Sequence, residues 1–207
     1  MLQTTIDSSD MMTLLKDVSL ATAPTFEAIQ RALRAKVPCM AGKVPRVFFS
    51  FHYEKDAWRA AQVRNSWVTK PSRRTARFWD AVAWEKVKRK GDTAIRRWIG
   101  KQLESTSVTV VLIGEETAER DYVLYEIEQS LKRGNGILGV YIHNVKDSNG
   151  NTSAKGENPF GHIRIALWRA LAWRFIFRSI PTYDWIQNNG YSNLGKWIEQ
   201  AAKDAGR

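Results

Sequence analysis

The sequence predicts an α/β protein in which helices cover both faces of a mostly parallel sheet. Short apolar runs of strand length recur along the chain, and segments with the apolar spacing of amphipathic helices separate them. This alternation is typical of parallel sheets, because two parallel strands need a crossover connection that is usually a helix. The 207 residues, 43% of them apolar, suit one domain with a small appendage.

The first residues of the chain differ from the rest, and we expect a helical extension (residues 1–44) ahead of the main domain (residues 45–207). This stretch contains no Trp, Tyr or His. Ser9 or Asp10 could cap a first helix, and Pro24 begins a second helical pattern that ends before Pro38. We expect the extension to pack on the main domain or on another subunit.

The main domain alternates predicted strands with predicted helices. The strands are expected at Val47–Phe51, Val108–Leu112, Ile137–Ile142 and Phe175–Ile180, with a short edge strand at Ser66–Val68 inside a basic loop that spans Asn65–Arg77. The helices are expected around Trp58–Val63, at Phe78–Lys90 and Asp92–Leu103, from Tyr122 to near Gly134, and after a capping Ser192. A polar loop without periodicity, Lys146–Gly161, is long enough to suggest a functional role.

The net charge of +11 would attract polyanions such as nucleic acid, an anionic membrane or a phosphorylated small molecule. A basic solubilising surface explains the charge equally well. No recognition helix or stacking-sheet pattern accompanies it, so nucleic-acid binding ranks last. The nine Trp residues are more typical of a core than of stacking surfaces.

The remaining bulk features predict a cytoplasmic protein without a membrane span. A single cysteine, Cys39, excludes an intrachain disulfide and fits a reducing compartment. The start of the chain lacks the pattern of a signal peptide. The most apolar long segment, Ile163–Ile180, is interrupted by four arginines.

Several common chemistries have no motif in this chain. The dinucleotide fingerprint G-x-G-x-x-G and the phosphate loop G-x-x-x-x-G-K-[ST] are both absent. His52, His143 and His162 are the only histidines, and there is no H-E-x-x-H motif or cysteine cluster. No G-x-S-x-G elbow supports a serine nucleophile. We therefore expect neither a metal nor a bound cofactor.

One glutamate stands where a surface carboxylate is not expected. After the apolar strand that ends before Gly114, a polar loop leads into a helix in which Tyr125 and Ile127 flank Glu126. Ligands of open α/β sheets bind outside the carboxyl ends of the strands, beside the following helix. Glu126 is therefore a candidate site residue, and the alternative is an ordinary solvated helix glutamate.

A second polar loop follows the strand that ends at Phe51. If the two strands are neighbours, their loops lie side by side and bring His52, Tyr53 and Asp56 near Tyr122 and Glu126. An aromatic floor with one carboxylate and nearby basic groups suits a ligand that carries a ring, a ribose and phosphates.

Several blocks of the sequence resemble Toll/interleukin-1 receptor (TIR) domains. Val47–Phe51 resembles their opening strand, and Asp121–Ile127 resembles the aromatic-x-x-x-Glu-Leu/Ile pattern of their catalytic helix. More specifically, Arg46–Phe160 and Tyr183–Trp197 are similar to the bacterial TIR-like family of the Thoeris anti-phage defence protein ThsB, in the blocks SFHYEKDAWRAAQVRNSW, WEKVKRKGDTAIRRWI, TVVLIGEETAERDYVLYEI and GILGVYIHNVKDSNGNTSAKGENPF.

The resemblance implies a flavodoxin-like (TIR-like) sheet and an enzyme that consumes NAD as its substrate. Such an enzyme cleaves the bond between nicotinamide and ribose and makes a cyclic ADP-ribose-type signal. A partner effector protein then binds that signal, a phage-derived trigger starts its synthesis, and the enzyme works as a homo-oligomer. The alternative is a non-catalytic TIR-like module that signals by protein–protein assembly.

The resemblance also assigns roles to individual residues. Glu126 would be catalytic, because a carboxylate stabilises the positive charge that forms on ribose when nicotinamide leaves. Phe51, His52 and Tyr53 would line the nucleotide pocket, with Tyr122 one turn before Glu126 on the same helix face. Each has a structural alternative: core packing for Phe51 and Tyr122, and plain loop positions for His52 and Tyr53.

Overall fold

A computed structural model describes residues 44–69, 74–75, 81–162 and 180–207. The predicted N-terminal extension lies outside the described residues apart from Val44, and the predicted strand Phe175–Ile180 lies outside them apart from Ile180. Both stay predictions, as does the division of the chain into residues 1–44 and 45–207.

Within the described ranges, five parallel strands form one sheet in the order β2-β1-β3-β4-β5. The strands are β1 (Arg46–Ser50), β2 (Arg74–Thr75), β3 (Val108–Ile113), β4 (Gly136–Tyr141) and β5 (Thr182–Asp184). This order is the flavodoxin-like one. Strand β2 lies on one side of β1 and the later strands lie on the other, so the topological switch point is between β1 and β3. The predicted α/β fold with a parallel sheet is confirmed.

The described part of the chain contains five α-helices, the last of which follows β5. They are α1 (Tyr53–Val68), α2 (Ala81–Lys88), α3 (Asp92–Leu103), α4 (Asp121–Arg133) and α5 (Gly190–Asp204). Short 3-10 turns occupy Thr117–Glu119 and Pro159–His162. No helix in the described part of the chain is long and apolar enough to cross a membrane.

Alternate residues of the central strand β3 pack on opposite sides of the sheet. Val110 and Leu112 belong to a core cluster with Leu194 of α5, and Val111 belongs to a second cluster with Ile127 of α4. All six residues of β3 are buried. A strand covered on both faces needs a continuous apolar run, which is why this strand could be predicted from its sequence.

Two predicted boundaries are wrong. The region predicted as a loop with an edge strand at Ser66–Val68 is the last turn of α1, because Trp67 fills the core with only 1% of its surface exposed. The edge position belongs to β2 instead. The last described strand, β5, follows Pro181 and was not predicted. Helix α5 begins at Gly190, two residues before the predicted cap at Ser192.

Gly136 lets β4 approach α5 closely. A Cβ atom at this position would lie 2.3 Å from the carbonyl oxygen of Ala201. We expect Gly136→Ala to lower the free energy of unfolding by about 1–3 kcal/mol, because backbone atoms must shift to make room. Urea denaturation followed by tryptophan fluorescence measures this change.

Gly161→Ala is the matched control, since nothing lies within 4 Å of the corresponding Cβ position. We expect the free energy of unfolding to change by no more than about 0.5 kcal/mol in this control. Equal effects of the two substitutions would contradict close packing of β4 on α5.

Candidate active site

The polar loops after β1 and β3, which are predicted to form the site, lie at the same edge of the sheet. Strands β1 and β3 are adjacent and parallel, with Ser50 opposite Val111. The loop after β1 and the loop after β3 therefore emerge side by side. Helix α4, which carries Glu126, follows the second of these loops.

Glu126 is buried beneath the sheet edge and bonded to the end of β1. Only 1% of its surface is exposed. Its Oε2 accepts a hydrogen bond from Ser50 Oγ at 2.5 Å, whereas Oε1 has no hydrogen-bond partner among the described residues. The alternative of a solvated surface glutamate is therefore wrong.

Burial controls the protonation of Glu126. It raises the pKa of the carboxyl group to about 8, and the hydrogen bond from Ser50 opposes part of this shift. In this conformation the group is a neutral acid at pH 7. A buried carboxyl with a strongly raised pKa at a ligand-binding edge is typical of functional sites, where ionisation is coupled to a ligand.

Three of the predicted site residues meet in an aromatic cluster, which consists of Phe51, Tyr53, Trp84 and Tyr122. Their neighbouring ring centroids are 6.4 Å apart for Phe51 and Tyr53, 6.2 Å for Tyr53 and Trp84, and 6.1 Å for Trp84 and Tyr122. Trp84, from α2, joins the loop after β1 to the start of α4. Trp84 and Phe51 both lie in the hydrophobic core, so the core packing predicted for the tryptophans, and as the alternative for Phe51, is confirmed at these two positions. The contacts of Trp84 with the predicted site residues were not predicted.

The aromatic cluster lies one helical turn from Glu126. Tyr122 precedes Glu126 by four residues in α4, so the two share one helix face. Helical side chains lean toward the N-terminus of their helix, which directs the Glu126 carboxyl toward the turn of Tyr122. Since Glu126 is buried, a ligand can contact its carboxyl group only if neighbouring side chains move.

His52 stands directly before α1, between Phe51 and Tyr53. It is buried, and neither ring nitrogen has a hydrogen-bond partner among the described residues. Its nearest acidic group is Glu54, with Oε2 at 4.0 Å from Nε2. Burial lowers the pKa of His52, and the positive charge of Arg120 lowers it further. The ring is therefore neutral at pH 7, with hydrogen-bonding capacity that no described residue uses.

Asp56, which the sequence places near Glu126, belongs to a buried ionic group around Arg59. Arg59 Nη1 lies 3.6 Å from Asp56 Oδ1, and Nη2 lies 3.5 Å from Asp147 Oδ2. Arg59 also donates hydrogen bonds to the carbonyl oxygens of Val145 and Asn151 at 2.8 and 3.1 Å. Burial raises the pKa of Asp56 to about 6, although Arg59 opposes this shift.

Arg59 thereby fixes the long polar loop that follows β4. Asp147 Oδ1 accepts hydrogen bonds from the backbone N–H groups of Asn149 and Asn151. Further along the loop, Gly156 packs so closely on the end of β3 that a Cβ atom would lie 2.0 Å from the carbonyl oxygen of Gly114. The loop contains no strand or α-helix and lies against the carboxyl end of the central strand.

His143 and Asn144 belong to a different cluster, at the ends of β4 and β5. His143 Nε2 lies 3.8 Å from Asp184 Oδ2, and Asn144 Nδ2 donates to the same oxygen at 3.2 Å. Asp184 Oδ1 accepts the backbone N–H groups of Ile186 and Gln187. These contacts hold the ends of the two strands together. No group of three or more metal-binding side chains occurs among the residues described.

Two comparisons identify relatives of this chain. Residues 48–147 match the family described as Thoeris protein ThsB, TIR-like domain. A protein of Bacillus cereus (strain MSX-D12), named "Putative cyclic ADP-D-ribose synthase ThsB1", is 36% identical over 188 residues, which cover 74% of this chain and 98% of the relative. The family match contains the last three residues of β1, the aromatic cluster and Glu126.

The buried carboxyl group predicts a specific pH dependence of stability. Folded Glu126 keeps its proton up to about pH 8, whereas an unfolded glutamate loses it near pH 4.5. The folded state binds more protons between these values, so stability relative to Glu126→Gln is greatest below pH 4.5. It then falls by roughly 3–5 kcal/mol as the pH rises to 8. Urea denaturation of both proteins from pH 5 to 9 measures this difference.

Glu119→Gln, at an exposed position, is the control for the loss of one carboxylate. The difference in the free energy of unfolding between Glu119→Gln and wild type should stay nearly constant over the same pH range. A similarly constant difference for Glu126→Gln would contradict a buried, protonated Glu126.

Arg59 gives a second prediction about the site. Arg59→Ala leaves Asp56 buried without its cation, and we expect the free energy of unfolding to fall by about 3–5 kcal/mol. Adding Asp56→Asn to this variant should recover part of the loss, since it removes the unpaired charge. Arg97→Ala, on the exposed side of α3, should change stability by about 0.5 kcal/mol at most. An Arg59→Ala protein as stable as Arg97→Ala would refute the buried ionic group.

Proposed function

The chain belongs to the ThsB TIR-like family of Thoeris defence proteins, and from this premise we propose that it cleaves NAD and forms a cyclic ADP-ribose-type product. The observation that carries the proposal is the buried carboxyl group of Glu126 beside an aromatic cluster, at the sheet edge where α/β proteins bind ligands. The name of the Bacillus cereus relative, which describes a cyclic ADP-D-ribose synthase, supports the same chemistry.

The proposed reaction needs one carboxylate and no cofactor. The bond between the ribose carbon C1 and the nicotinamide nitrogen breaks, and its electron pair returns to the nicotinamide ring. Nicotinamide leaves as a neutral base, so no general acid is needed. The ribose becomes an oxocarbenium-like cation, which the Glu126 carboxylate stabilises. A nucleophilic group of the ADP-ribosyl moiety itself then bonds to C1 and closes the ring, whereas attack by water gives ADP-ribose.

The raised pKa of Glu126 is compatible with this role. The nicotinamide ring of bound NAD carries a positive charge, and a nearby positive charge favours the ionised form of a carboxyl group. Glu126 would therefore lose its proton when NAD binds in the site. Until then the group stays neutral, and a neutral acid is much less costly to bury than a carboxylate.

The aromatic cluster would bind the flat rings of the substrate. Tyr53 and Tyr122 are partly buried, and Phe51 and Trp84 are buried with 2% and 5% of their surfaces exposed, so their ring faces would become available for stacking only after the cluster opens. The unpartnered nitrogens of His52 could bond polar groups of the nucleotide. Ring closure also requires a site that excludes water, because water competes for the same ribose carbon.

The described conformation would be a latent one. Glu126 is buried, so the aromatic cluster must rearrange before NAD can reach it. We propose that a phage-derived trigger, or assembly of several chains into a homo-oligomer, stabilises the open form. The product would then activate a partner effector protein.

We expect Glu126→Gln to reduce nicotinamide release from NAD at least about 100-fold, because glutamine fills the same space without a negative charge. Purified protein is incubated with NAD, with and without extract from phage-infected cells. Chromatography measures nicotinamide, and mass spectrometry identifies the ADP-ribose product. Glu119→Gln should retain wild-type activity.

Two outcomes would refute the enzymatic proposal. One is that wild-type protein releases no nicotinamide under either condition. The other is that Glu126→Gln releases as much as wild type. If anti-phage signalling nevertheless persists in the Glu126→Gln variant and is lost on deletion of residues 1–44, the chain is a non-catalytic assembly module.

A further inference from the structure

Ser50 is the one described residue that bonds the Glu126 carboxyl group. We propose that Ser50 is a positioning residue of the active site: it holds Oε2 of Glu126 and leaves Oε1 as the oxygen that meets the substrate ribose. This inference rests on the proposed function. It adds a residue that neither the predicted site nor the aromatic cluster includes.

The position of Ser50 in β1 is unusual for a structural serine. It ends a strand whose three preceding residues, Val47, Phe48 and Phe49, are buried and apolar, and it is itself fully buried. A hydroxyl group buried in a strand is unfavourable unless it is hydrogen-bonded. The hydrogen-bond partner of Ser50 is the side chain of Glu126, which lies 76 residues away in α4. It is not a backbone carbonyl group nearby in the sequence.

The main chain of Glu126 is held by other residues. Ser130 Oγ donates to the Glu126 carbonyl oxygen at 2.7 Å, and it also lies 2.8 Å from Thr109 Oγ1 of β3. These two bonds tie this turn of α4 to the central strand. Ser50 therefore acts on the carboxyl group alone, and its loss should leave the helix in place.

A single hydroxyl donor has two consequences for the carboxyl group. It restricts the rotation of the side chain, because Oε2 must stay within hydrogen-bond distance of β1. It also favours the ionised form that the proposed reaction requires, since a hydroxyl donates more strongly to a carboxylate than to a neutral acid. Oε1, which is buried and unpartnered among the described residues, is then available to accept a ribose hydroxyl group.

Threonine and valine at position 50 form a matched pair for the test. They have nearly the same shape, but only Ser50→Thr keeps the hydroxyl group. The first measurement is the titration of Glu126 by carbon-13 NMR of carboxyl-labelled glutamate, with Glu126→Gln to assign the resonance. We expect Ser50→Val to raise the titration midpoint by about one pH unit or more and Ser50→Thr to stay near wild type.

The second measurement is the pH profile of nicotinamide release. Because the ionised carboxylate is required, kcat rises with pH through the pKa of Glu126 in the substrate complex. Ser50→Val should move this rise to higher pH by about one unit or more, with a smaller change in KM, and should lower kcat about tenfold at pH values below the wild-type midpoint. Ser50→Thr should restore the wild-type profile. If the larger side chains do not fit the buried strand, Ser50→Ala gives the same comparison with wild type.

The two measurements separate failure of this inference from failure of the proposed function. If the titration midpoint of Glu126 in Ser50→Val, or in Ser50→Ala where that variant replaces it, equals the wild-type midpoint, Ser50 does not act on the Glu126 carboxyl group. Threonine and valine variants that lose activity equally, without a shifted profile, would also overturn the role, because packing alone would explain the loss. If wild-type protein releases no nicotinamide, the enzymatic proposal fails, and with it the catalytic purpose of the bond, whatever the titration gives.

Discussion

The site depends on a carboxyl group that is buried without a cation to balance it. The carboxyl group of Glu126 has one hydrogen bond, from Ser50, and no ion pair among the described residues. A group in this position destabilises the folded protein whenever it is ionised. A leucine or glutamine there would pack without this penalty, so the carboxyl group is best explained by a function. The nearby aromatic rings and the ligand-binding sheet edge indicate what kind of function that is.

The fold places this group by strand order. Because β1 and β3 are neighbours, a serine at the end of one strand meets a helix that follows the other. The same edge is fixed on its other side by Arg59 of α1, which joins this helix to the loop after β4 through Asp147 and the carbonyl oxygens of Val145 and Asn151. The aromatic cluster therefore lies beside a rigid part of the molecule. If the site opens, we expect the aromatic side chains and α2 to move rather than the ionic group.

The parts of this arrangement that local patterns determine could be predicted from the sequence. The apolar run of β3 and the helical spacing after it were sufficient for the parallel sheet and for the unusual position of Glu126. Contacts between distant segments were not predictable in this way. Trp84 and Ser50 reach the site from separate elements, and no local pattern shows that Trp84, a core tryptophan, contacts the predicted site residues. A polar residue at the end of the apolar segment Val47–Phe51 was the only available indication of Ser50. Trp67 shows the same limit, since burial against distant residues keeps it helical where the local pattern predicted a strand.

The role of Glu126 is tested by mass spectrometry of small molecules from phage-infected cells that carry either wild-type protein or Glu126→Gln. Cyclisation joins the ribosyl carbon to another part of the same molecule without adding water. The product is therefore one water molecule lighter than ADP-ribose. We expect this species in infected cells with the wild-type protein and its absence from cells with Glu126→Gln. Equal amounts in the two strains, or none in either, would contradict the assignment of Glu126 as the catalytic group.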